Sequence, residues 1–165
     1  MTTAHPGTLA LHAELVQLGS ETVLRSAAAA LGVPGGDAAP IDPAGWPAVT
    51  GHLLDWSDPE VMTLYLLSAG RFIRHQLARN GMLLTVALPL SRVRRVVEER
   101  GAQGATVAIE LDADRSTFEF NGAFAEGQVV ATGAQTASGY VIGASDEAGV
   151  ARLAAFAAVL RAHLG

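Results

Sequence analysis

The residues of this chain best suited to chemistry are its arginines. All eleven basic residues are arginine, and the stretch MLLTVALPLSRVRRVVEERG at 82–101 sets Arg92, Arg94, Arg95 and Arg100 behind an apolar run. Residues 71–100 hold seven arginines against Glu98 and Glu99, whereas residues 1–60 hold one, Arg25, against seven acids. On a chain of net charge −5 this basic centre is the segment that faces anions. Arg71, Arg74, Arg92, Arg94 and Arg95 are therefore the candidates for binding an anion or an acidic partner. If 71–79 is a strand, alternation puts Arg71 and His75 on the face opposite Arg74.

Other residue types exclude more than they offer. With no cysteine, thiolate catalysis, zinc–cysteine sites and disulfides are ruled out. The acids of ELDAD, Glu110, Asp112 and Asp114, alternate along one strand face, which suits a divalent cation or equally the wet side of a half-buried strand. Read as a calcium loop from Asp112, the pattern fails, with Thr117 where glycine is needed and Ala123 where glutamate is needed. The histidines at 5, 12, 52, 75 and 163 have no metal-site spacing; His52 and Asp55 could meet, as a polar pair or a dyad. No GxSxG, GxxxxGK[ST] or GxGxxG occurs. No catalysis, metal or cofactor is expected.

The elements that must position the arginines follow from periodicity. Residues 8–31 place Leu11, Leu15, Leu18, Thr22 and Arg25 on one helical line, as one helix or as two broken at Gly19-Ser20. The segment is apolar around most of its circumference, so it must dock on its own domain or on a neighbour. Residues 32–47 hold four prolines and four glycines and read as a linker. Trp46 and Trp56 are placed to staple that linker to the domain.

From Val49 the grammar is short β-rich runs at hairpin spacing, and Asn80-Gly81 predicts a two-residue type I′ turn joining 71–79 to 82–90 as antiparallel neighbours. The last segment predicts a helix over 146–164, capped by Ser145, with Val150, Leu153, Ala157, Leu160 and Leu164 as its buried stripe. The N-terminal MTTAHPGTLALHAEL has no basic leader before a long apolar core, and no run reaches membrane-spanning length, so a cytoplasmic chain is expected.

The run LYLLSAGRFIRHQ, then TVALPLSRVRRV, then VAIELDAD and a final helix containing RLAAFAAVLR resembles small bacterial, chiefly actinobacterial, pleckstrin-homology-like (PH-like) proteins of uncharacterised function. The resemblance covers residues 49–165. It implies an α+β fold, a PH-like antiparallel β-roll of about seven strands capped by a C-terminal amphipathic helix. Residues 1–31 would form an N-terminal helical arm, 32–47 a linker and 48–165 the domain. Eukaryotic PH domains bind lipid headgroups through basic residues of the first hairpin. The corresponding positions here, Arg71, Arg74, His75 and Arg79, do not match the phosphoinositide motif.

Local rules would allow 92–100 to be a helix between Ser91 and Gly101. Its arginines would then sit at the positive end and its glutamates at the negative end, against the macrodipole, and three valines in five positions favour extended backbone. A strand that bends at Pro89–Ser91 and resumes is expected, with a bulge or irregular turn to bury Val93, Val96 and Val97 together. The arginines then either form a solvated edge paired with nearby acids or meet an anionic partner. The functional expectation is a non-enzymatic binding or scaffolding module acting through protein–protein contacts. A homo-oligomer or a structural subunit of a virion or bacterial particle is the alternative, and an anionic lipid headgroup or phosphate ligand the second. Nucleic acid is disfavoured by the negative net charge and the scarcity of aromatics near the arginines.

Overall fold

The computed structural model describes residues 4–19, 21–33, 42–112, 117–124, 129–136 and 139–164. The chain is α+β. Two helices, α1 (Pro6–Val16) and α2 (Glu21–Ala30), precede strands β1 (Val49–Asp58), β2 (Val61–Ser68), β3 (Arg71–Ala78) and β4 (Met82–Pro89). Then come β5 (Val93–Gly101), β6 (Gly104–Leu111), β7 (Thr117–Phe124), β8 (Val129–Thr136), β9 (Gly139–Ala144) and helix α3 (Glu147–Leu164). The described residues thus contain nine strands where about seven are expected. They form two antiparallel sheets, one ordered β1-β2-β3-β4-β7-β8 and the other β5-β6-β9.

The apolar density of β2, VMTLYLLS, has a direct cause: the large sheet is covered on both faces there. Met62, Leu64 and Leu66 point with Val49 and Ile73 toward α1 and α2, where Leu11, Leu15, Val23, Leu24, Ala27, Ala28 and Leu31 close over them. Tyr65 and Leu67 point the other way with Leu53, Phe72, Val86 and Leu88. There they meet Val93, Val96, Val107, Ile109 and Ile142 of the small sheet and Leu153, Phe156, Ala157 and Leu160 of α3. The layers are therefore helices, large sheet, then small sheet with α3, and burial on both faces removes the alternation a half-exposed strand shows.

The N-terminal segment is two helices, separated by a turn in which Gly19 takes φ +70°. Both lie on the large sheet. The buried Thr8 hydroxyl ties α1 to the start of β1, donating to Pro47 O (3.0 Å) and accepting from Val49 N–H (3.0 Å). Trp46 is buried in the same layer, edge-on to His12 at 5.4 Å between ring centres, and so pins the end of the linker. The side chain of Trp56 lies outside the described residues.

Three local expectations need correction. The Asn80-Gly81 turn is not type I′: Gly81 alone has positive φ (+88°), its N–H reaches Ala78 O (2.9 Å), and Asn80 Oδ1 accepts from Met82 N–H (3.0 Å). With three residues between Ala78 and Met82, only the last needs the left-handed region. β3 and β4 are nonetheless antiparallel neighbours. The helix cap is Asp146, which accepts from Gly149 N–H (3.1 Å), and not Ser145, one residue too early. The buried stripe of α3 includes Phe156, while Leu164 at the last turn is 38% exposed.

The two-residue turn with positive φ at both positions is Ala69-Gly70 (+53° and +70°), closing β2 and β3 at Ser68–Arg71. An L-alanine there is strained by roughly 1–2 kcal/mol. Ala69→Asn, which creates the favoured Asn-Gly pair, is expected to raise stability by about 0.5–1 kcal/mol. A higher thermal midpoint checks this, and a lower one would contradict the turn assignment.

Candidate functional site

The basic centre is assembled where two turns meet the end of β6. Gly70 O accepts from Leu90 N–H (2.9 Å), joining the β2–β3 turn to the 3-10 turn Leu90–Arg92, and Arg92 O accepts from Asp112 N–H (2.9 Å), joining that turn to the end of β6. Pro89 sets the bend. β5 then begins with a bulge: Val93 pairs with Leu111 and Arg95 with Glu110, leaving Arg94 as the extra residue. The bulge turns both Val93 and Val96 into the core, and Val97 is half-buried on the other face.

Of the five candidate arginines, the structure brings together Arg71, Arg92, Arg94 and Arg95 at this end and sets Arg74 apart. Arg71 lies at the head of β3 beside Pro89, its guanidinium near Gly32 just beyond α2, where the helix dipole favours a cation. Arg94 is exposed on the bulge and Arg92 half-buried in the 3-10 turn. Among the described residues, Arg71, Arg92 and Arg94 have no ion-pair partner.

Arg95 does have one. Its Nε and Nη2 donate to Glu110 Oε2 (2.9 Å) and Oε1 (2.8 Å), a bidentate pair across β5 and β6. These hydrogen bonds hold the Glu110 carboxyl below its ordinary range and raise Arg95. The pair is solvent-exposed, so it orients Arg95 more than it stabilises the fold. Glu110 is thereby occupied, Asp112 lies just past the strand, and Asp114 falls outside the described residues, as do the side chains of Thr117 and Ala123.

Arg74 faces the inner core from β3. Its guanidinium stacks 5.1 Å from the centre of the Tyr140 ring and donates to Gln76 Oε1 (3.1 Å), while its Nε is buried with no hydrogen-bond partner among the described residues. Burial raises the Tyr140 hydroxyl, and the Arg74 charge opposes that shift. Arg74 therefore links the two sheets. His75, on the opposite face as alternation requires, is buried against α2's side of the sheet, with Nδ1 2.8 Å from Thr85 Oγ1.

Sequence spacing missed one polar cluster. His52 Nε2 lies 2.6 Å from Glu14 Oε2, and Arg152 donates to Glu14 Oε1 (3.3 Å). Glu14 thus clasps α1 to α3 across edge strand β1, and beside it lies a cavity of about 240 Å³. The expected pairing of His52 with Asp55 is replaced by His52 with Glu14, a partner 38 residues away that no local pattern announces. The Arg95–Glu110 pair did leave a signal: a hairpin centred on Gly101–Gly104 puts those two residues opposite each other.

A larger open groove of about 980 Å³ runs between β1 and β9, bounded by the β5–β6 turn and the first turns of α3. The chain matches no family model, no curated protein and no solved structure.

Proposed function

We propose that this chain is a non-enzymatic binding module, built as a PH-like roll, whose basic end docks an acidic patch on another protein. The strand order supports the roll: a four-stranded meander β1–β4, a three-stranded sheet β5-β6-β9 and a C-terminal helix packed between them, with the β7–β8 hairpin added to the large sheet's edge.

The observation that carries the functional reading is the gathering of Arg71, Arg92 and Arg94, unpaired among the described residues, at one end of a chain of net charge −5. Arg95 is paired with Glu110, which also feels the Arg94 charge, while Arg71 and Arg92 have no ion pair among the described residues. Glu110 and Asp112 sit among these arginines, and a uniformly anionic lipid plane would repel them, whereas a protein surface can match mixed charge. Leu9 and Val16, exposed on α1, favour a second reading, association into an oligomer or larger particle.

The test is the variant Arg71→Gln, Arg92→Gln, Arg94→Gln. None of the three arginines is fully buried or ion-paired among the described residues, so each is expected to contribute only about 0–1 kcal/mol and the variant should fold normally. Wild type is expected to retain a partner from native lysate that the triple variant loses. Sedimentation of wild type but not the variant with phosphatidylserine vesicles, without such a partner, would replace the protein reading by the lipid one. Equal behaviour of the two proteins in both assays would refute it.

A further inference from the structure

We infer that the groove between β9 and β1 takes an extended polypeptide segment as an added strand on β9, one with apolar side chains at alternate positions and a basic flank. The sheet edges differ in how they are guarded. β5 carries a bulge at Arg94 together with Arg94, Arg95, Glu98, Glu99 and Arg100. β1 has register shifts at both ends and is crossed by the Glu14–Arg152 bridge. β9, GYVIGA, has no charge, no proline and no bulge. Among the described residues it pairs with β6 alone, so alternate N–H and C=O groups point into the groove with no strand beside them. An edge of this kind is a template for strand addition unless something guards it.

The groove fixes what the added strand must be. On the outer face Val141 is 71% exposed, the most exposed large apolar side chain described, and it continues a row with Val97 and Ala108 across the small sheet. The half-buried Leu54 and exposed Ala148 offer apolar surface within the groove itself. A strand with small apolar residues at every second position continues the Val141 row on the outer face, and its other residues turn inward toward Leu54 and Ala148. The rim carries Glu99 and Asp146 against Arg100, since Arg152 is engaged by Glu14, so basic flanking residues complement it. A second copy's β9 fits less well, because its Ile142 is already turned into its own core and cannot fill the groove.

This site lies at the other end of the β5–β6 hairpin from the arginines and does not rest on them. Selection of a displayed library of random peptides against the full-length protein tests it. The expected winners alternate apolar residues beside Arg or Lys, lose binding when proline interrupts them, and protect β9 amides from hydrogen exchange. Val141→Lys should weaken them about tenfold through charge repulsion with no change in melting temperature, whereas the Arg71, Arg92, Arg94 triple variant should bind them as wild type does. Enrichment of no peptide, of peptides indifferent to proline or to Val141→Lys, or protection of β9 by dimerisation of the protein alone would overturn the inference.

Discussion

A chain reduced to residues 48–165 is expected to lose its cooperative fold. The truncation uncovers Val49, Met62, Leu64, Leu66 and Ile73, all buried beneath α1 and α2, and deletes the Thr8 hydroxyl that accepts from Val49 N–H. Each large side chain that loses its cover forfeits about 1.5–3 kcal/mol, and domain stability as a whole is about 5–15 kcal/mol. Five such residues reach the whole of it. Leu15→Ala, a smaller lesion at the centre of the same layer, should cost about 2–5 kcal/mol while leaving the fold recognisable. Thermal unfolding followed by circular dichroism, with light scattering for the exposed sheet face, checks both. A truncated protein melting as a monomer within a few degrees of the full chain would show that the helices are an appendage.

Acidification should destabilise the protein through His75. Burial pushes its imidazole from the ordinary 6.5 to about 4. Between those values the unfolded chain holds a proton that the folded chain refuses, so stability is complete above about pH 6.5 and falls as pH drops toward 4. At 1.36 kcal/mol per pH unit the loss is about 3 kcal/mol. The geometry agrees with a neutral ring: Nδ1 has Thr85 Oγ1 at 2.8 Å, but the buried Nε2 has no hydrogen-bond partner among the described residues and could not carry a second proton at low cost. Denaturant titrations of wild type and His75→Leu across this range isolate the effect, since every carboxylate is common to both. The difference between the two curves should change between pH 7 and 4 and stay constant above 7. Parallel curves throughout would place the histidine's proton elsewhere.

Much of the architecture was legible because it is written in short range. Three valines in five positions of VRRVV called for an irregularity, and the bulge at Arg94 supplies it for Val93 and Val96, but Val97 stays half-buried on the other face, so the three are not buried together as expected. Pro89 marks the bend, and the terminal helix follows from spacing, though Asp146 rather than Ser145 is its cap and Leu160 rather than Leu164 its last buried position. Asn80-Gly81 announced a turn but not its type, because the same dipeptide serves a three-residue loop when only glycine must adopt positive φ. What was not legible is long-range. Nothing in β1 says that His52 will meet Glu14, and nothing in β7 says that it will leave the small sheet's meander to pair with β4. The arginines show both limits: their clustering is visible in sequence, yet only the register removes Arg95 by pairing it with Glu110 and sends Arg74 beneath Tyr140.

The most direct measurement of the basic end is the salt dependence of partner capture by wild type, by Arg95→Gln and by the Arg71, Arg92, Arg94 triple glutamine variant. Charge pairs at a protein surface are screened over roughly 8 Å at physiological ionic strength. Binding by wild type and by Arg95→Gln should fall alike as salt rises, because Arg95 is held by Glu110, while the triple variant should bind weakly with a flat dependence at unchanged melting temperature. A triple variant that binds as strongly and as salt-sensitively as wild type, or one that unfolds, would contradict the account.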